Sequence, residues 1–125
     1  MNTVLWIIQV MLALAFLVSG FEKLSKSRAD LVAAGNRAWA ADFTEGQIKA
    51  IGILEILATV GLTIPAALNI VPILTAVAAT GLVALMGAAM ITHVRRDEAR
   101  LLPINLVLGA FALFVAIDRF GPEKL

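Results

Sequence analysis

Gln47-Ile-Lys-Ala-Ile-Gly-Ile-Leu-Glu55-Ile-Leu-Ala-Thr-Val-Gly-Leu-Thr-Ile-Pro65 is apolar enough to lie in lipid, yet it carries a carboxylate near its middle. Thr44-x-x-Gln47 reads as a capping box, so the helix starts near Glu45, and Pro65 marks its end. At about 1.5 Å of rise per residue, Glu55 lies roughly 15 Å in, near the midplane of a bilayer core about 30 Å thick. A charged side chain there costs at least about 2.5 kcal/mol on insertion scales. Glu55 is therefore a candidate site residue unless a partner makes it structural.

The surrounding chain supports a membrane reading. Of 125 residues, 61% are hydrophobic, against about 45–50% in soluble domains. Mean hydropathy is +0.95. A net charge of +1 gives no signal for nucleic acid. With no cysteine, the chain has no disulfide framework, thiol relay or Cys-ligated cluster. A single histidine does not suffice for a protein-only zinc or haem site, so no metal is expected.

Three further apolar runs accompany the first, and the spans fall at about 3–24, 45–64, 70–92 and 101–118. The expected fold is all-α, an antiparallel bundle of four transmembrane helices in one domain over 1–125. No basic region precedes the first run, which does not read as a cleavable signal peptide. At 100° per residue it aligns Gln9, Ala13, Phe16, Gly20 and Lys23 on one face. The second aligns Gly52, Glu55, Thr59 and Thr63.

The third run carries two stripes: Ala76, Thr80, Ala84 and Ala88, a small-xxx-small face for close packing or a partner, and Thr75, Leu82, Met86, Ala89 and His93. The fourth aligns Asn105, Gly109, Ala112 and Ala116. Residues 25–44 mix charges with Leu31, Val32, Trp39 and Phe43, which suits an amphipathic piece on the membrane surface or one contacting a partner. In that reading Trp39 sits at headgroup level.

Connections 25–44 and 93–100 share one side. With the span ends they hold Lys23, Lys26, Arg28, Arg37, Lys49, Arg95, Arg96 and Arg100, while Arg119 and Lys124 lie on the other side. The positive-inside rule then puts these connections in the cytoplasm and both termini outside it. A multi-pass protein of the bacterial inner (plasma) membrane is expected.

In this topology Lys23, Glu55, His93 and Asn105 converge in one half of the bundle, each from a different helix. Two readings stand for each. Glu55 is either an acid of a ligand or proton site or a buried acid fixing register through Asn105 or a backbone carbonyl. His93 is a proton relay or an interfacial cap, Lys23 a tuning charge or an anchor, and Asn105 an orienting amide or interhelical glue.

The chain also resembles the DoxX-like membrane proteins, the group that includes the subunit DoxD. The resemblance rests on Ala15-Phe16-Leu-Val-Ser-Gly20-Phe-Glu-Lys23-Leu24, on Gly52-Ile-Leu-Glu55 with Gly61 and Pro65, on Met86-Gly-Ala-Ala-Met-Ile-Thr-His93, and on Pro103-x-Asn105. It implies four transmembrane helices. The group takes its name from a thiosulfate:quinone oxidoreductase, and some relatives are linked to redox complexes with soluble sulfur- or superoxide-handling partners. A more distant relative, NACHO, assists receptor-channel assembly.

Three functions are consistent with the sequence. The first is a binding or accessory subunit holding a lipophilic small molecule, such as a quinone, at the Glu55 level. The second is an assembly helper docking partner helices through Ala84 and Ala88. The third is a small transporter that needs a dimer to form a path. Expected partners are membrane lipid, a second copy, or a membrane or soluble protein. No complete catalytic or cofactor motif is present, so an enzymatic role would be that of a subunit.

Overall fold

The computed structural model describes residues 1–33 and 38–121. Arg37 and Lys124, both counted in the charge asymmetry, and the end of the polar tail lie outside these residues. Four long helices form the bundle: α1 (Asn2–Ser25), α3 (Glu45–Leu68), α4 (Ile73–Arg95) and α5 (Leu102–Phe120). A short α2 (Arg28–Ala33) and a 3₁₀ turn (Ala38–Asp42) lie between α1 and α3, and a second 3₁₀ turn (Ala99–Leu101) leads into α5. Four segments have the length and hydropathy to cross a membrane.

The Thr44 capping box forms as read. Thr44 Oγ1 accepts the Gln47 N–H at 3.1 Å, and Gln47 Oε1 accepts the Thr44 N–H at 2.9 Å. The other end of α3 differs from the reading, because Pro65 does not end the helix. It lies inside the last turn, and α3 runs to Leu68. Proline removes one N–H but leaves its own carbonyl able to accept, and that carbonyl takes the N–H groups of Asn69 and Ile70. Asn69, with φ 54°, supplies the left-handed C-cap that terminates the helix.

Chain neighbours are neighbours in space. α1 packs along α3, α3 against α4, α4 against α5, and α5 closes on α1 through the slimmest of these contacts. The core combines Phe16, Leu82, Met86 and Ala112 of the inward stripes with Leu5, Leu12, Leu62 and Val115, which lie outside them. On the outside of α1, Val4, Ile7, Met11, Leu14, Val18 and Phe21 are exposed. Large apolar side chains around the perimeter suit a solvent of acyl chains rather than water.

The α1–α3 crossing is set by two glycines. A Cβ on Gly20 would stand 2.9 Å from the Gly52 carbonyl oxygen, and one on Gly52 would stand 3.0 Å from Lys23 Cβ. Backbones this close place the next helical turns, with Lys23 on α1 and Glu55 on α3, side by side.

Candidate functional site

Lys23 and Glu55 form a buried ion pair, with Nζ 2.9 Å from Oε1. Their side chains are 10% and 3% exposed, so little water screens the attraction. Lys23 Nζ also donates to Ser19 Oγ at 2.6 Å and lies 5.3 Å from the centre of the Trp39 ring. A hydroxyl, a carboxylate and an aromatic face thus surround the ammonium. Among the described residues Glu55 meets Lys23, and neither Asn105 nor a backbone carbonyl.

The connection after α1 holds Trp39 in place. Arg28 donates from Nε to the Phe43 carbonyl and from Nη2 to the Ala41 carbonyl, both at 2.6 Å. Leu31, Ala40 and Ile48 form a small core beneath it, joined by Trp39 and Phe43. The segment is amphipathic as read. Trp39 is partly buried over Lys23, held there by this core and the ammonium. Lys49 Nζ donates to the carbonyls of Lys23, Leu24 and Lys26, so its charge caps α1 and ties α3 to it.

Beside the pair lies a cavity of about 370 Å³. Lys23, Glu55, His93 and Asn105 all line it, with Ser19, Thr92 and Trp39. Phe16, Leu85, Met86, Ile104 and Leu108 supply its apolar wall. The four side chains that the sequence directed to one level therefore border one space. Asn105 is half-buried, and among the described residues its amide reaches only the Leu101 carbonyl, at 3.5 Å. Of the small-residue stripe, Ala76 is buried within the bundle, whereas Thr80, Ala84 and Ala88 are exposed. Ala84 and Ala88 line a second, apolar groove of about 660 Å³ between α3 and α4.

Two participants escaped the sequence reading. Glu98 Oε1 lies 3.0 Å from His93 Nδ1 and 3.3 Å from Arg96 Nε, and Arg96 Nη1 donates to Asp42 Oδ1 at 2.8 Å. Asp97, with φ 57°, turns the chain so that Glu98 folds back over the end of α4. Arg119 is the second. It enters the charge asymmetry only by its side of the bundle, yet it is 2% exposed, donating to Gln9 Oε1 at 2.8 Å and Asn2 Oδ1 at 2.7 Å. Gln9 in turn donates to the Leu62 carbonyl at 2.7 Å. Arg119 lies seven residues after Ala112 and so on the inward stripe of α5, a signal the sequence did contain.

The hydrogen bond with His93, aided by the Arg96 charge and opposed by burial, holds the Glu98 carboxyl below its ordinary range. A carboxyl whose pKa is lower folded than unfolded stabilises above its unfolded value, about 4.3, and loses that contribution as pH falls through the folded value. Acidification below about pH 4 should therefore loosen the 93–101 connection. Hydrogen exchange corrected for intrinsic rates should show protection lost there in the wild type, but no such acid-dependent loss in Glu98→Gln. Equal acid sensitivity in both would assign it to another group.

The pattern that defines the DoxX-like family matches residues 7–115. The chain belongs to the DoxX-like family. No curated protein and no solved structure gives a match. Membership and the four apolar helices make this DoxX-like chain a multi-pass integral membrane protein. The matched span contains Lys23, Glu55, His93, Glu98 and Asn105 but not Arg119.

Proposed function

We propose that this DoxX-like protein is a binding or accessory subunit of the inner membrane, holding a lipophilic small molecule with a polar, quinone-like head. The carrying observation is the cavity of about 370 Å³, apolar along its wall and polar where four helices contribute Lys23, Glu55, His93 and Asn105. Its size and lining suit small-ligand sites, which run to about 300–1,000 Å³ with few polar groups. Lys23, held by Glu55, offers an ammonium donor to a ring carbonyl, while Asn105 and His93 can orient the opposite side. The charged connections face the cytoplasm in this reading, both termini lie outside it, and the subunit serves a membrane redox complex.

The layer between the two polar clusters speaks against a transport path. Leu12, Phe16, Ala58, Leu82, Met86 and Val115 are all buried between the Lys23–Glu55 and Gln9–Arg119 levels. A second reading, an assembly helper, draws on the α3–α4 groove, where Gly61, Gly81, Ala84 and Ala88 leave room for a partner helix.

Release of the protein from native membrane discs into a mass spectrometer tests the first reading. The wild type should carry a bound small molecule. It should be lost in Glu55→Gln and in Ala89→Phe, which fills the cavity while keeping the ion pair. Wild-type protein arriving bare, or a ligand retained in Ala89→Phe, would contradict it. Capture of a partner chain that is abolished by Ala84→Leu would favour the helper.

A further inference from the structure

Glu98 does not line the cavity, but its carboxylate meets one ring nitrogen of His93, which does. Its Oε1 lies 3.0 Å from Nδ1 and is itself held by Arg96, which Asp42 anchors from the opposite connection. Both side chains are about nine-tenths buried, at 11% and 12% exposure. His93 also lines the cavity, and among the described residues its Nε2 has no hydrogen-bond partner. A carboxylate on one ring nitrogen sets the tautomer and leaves the other nitrogen as acceptor.

We propose that His93 and Glu98 form a proton port for the cavity: Glu98 holds the proton on Nδ1, and Nε2 accepts a hydrogen bond, and then the proton, from a weakly acidic hydroxyl of the occupant. The inference rests on the ligand-site reading above and adds the ligand chemistry, a phenol-type or hydroquinone-type O–H. The step moves a proton and nothing else. The O–H bond breaks and an N–H bond forms at Nε2. The imidazolium is stabilised by the Glu98 carboxylate, and the phenolate faces the Lys23 ammonium across the cavity. The charged groups around His93 are Lys23 and Glu55 over the cavity, Asp42 through Arg96, and Arg95, Arg96, Asp97, Glu98 and Arg100 on its own connection. Glu98 is a positioning residue here, because it acts through the imidazole.

The test uses the full chain in lipid nanodiscs with ¹⁵N-labelled histidine, at mildly alkaline pH. Without ligand, the wild type should show its proton on Nδ1 alone, and Glu98→Gln a mixture of tautomers. Para-hexylphenol, a redox-inert probe, should move the Nε2 resonance and bind about tenfold more weakly to Glu98→Gln. Its methyl ether, which lacks the acidic proton, should bind both proteins equally. A proton on Nε2 in the wild type, an unchanged tautomer in the variant, or equal losses for phenol and ether would overturn the port. Failure of both probes to bind the wild type, with His93 in the stated tautomer, would instead overturn the ligand-site reading beneath it.

Discussion

Glu55→Ala should destabilise the bundle by about 3–5 kcal/mol, among the largest effects of any single substitution. The change strands the Lys23 ammonium, which is buried with only Ser19 Oγ and the Trp39 face for company. The cost comes from leaving one charge uncompensated, so it should vanish when both charges go. Lys23→Met with Glu55→Leu keeps similar volume, replaces an ion pair by apolar contact, and should recover most of the loss or exceed the wild type. Equilibrium unfolding in mixed micelles measures all three proteins. A double variant no more stable than Glu55→Ala would mean that the pair itself holds the bundle together. Restored stability with lost ligand would mark the pair as one kept for binding.

Gly20→Leu should be nearly as damaging, by way of the backbone. The first added carbon already meets the Gly52 carbonyl oxygen at 2.9 Å, and Ile56 side-chain atoms stand at 3.0 Å. Backbone cannot move aside as a side-chain tip can, so α1 and α3 must separate. Overpacking of this kind costs about 1–3 kcal/mol, and separation also draws Lys23 away from Glu55, adding part of the ion-pair loss. Gly81 provides the contrast, since a Cβ there meets nothing within 4 Å. Gly81→Ala should be neutral or stabilising by up to about 1 kcal/mol through helix propensity alone. Equal losses at Gly20 and Gly81 would remove the close crossing as the explanation.

Gly20 and Gly52, at the α1–α3 crossing, show why so much of this fold is legible in the sequence. Lipid leaves the backbone few options, so apolar runs report helices, and polar residues at helical spacing report faces turned inward, whereas the small residues Thr80, Ala84 and Ala88 of α4 lie exposed. Gln9, Phe16, Gly20 and Lys23 all lie on the α1 face that the spacing picked out, and all are buried. Convergence of Lys23, Glu55, His93 and Asn105 could be read for the same reason, since each lies at a similar depth on an inward stripe.

What escaped the sequence depends on loops and caps. Glu98 reaches His93 because Asp97 adopts a left-handed conformation, and no helical period relates positions 93 and 98. Trp39 covers Lys23 through the carbonyl contacts of Arg28, which fold the connection inward. Pro65 misled for a local reason: a proline breaks the hydrogen bond behind it, but the chain ahead could complete one more turn to a left-handed Asn69. Arg119 enters the sequence analysis only as a charge at one end of the bundle, although its register matches the inward stripe of α5, where it is buried.

The most direct test of a ligand at the Lys23–Glu55 level is photolabelling in native membranes with an azido-benzoquinone, followed by peptide mapping. The proposed site requires adducts on cavity-lining residues such as Phe16, Trp39, Met86 and Ile104, suppressed by excess unlabelled quinone and absent in Ala89→Phe. Labelling spread over the outward-facing residues Leu14, Val18, Val107 and Leu113, with no competition, would contradict it.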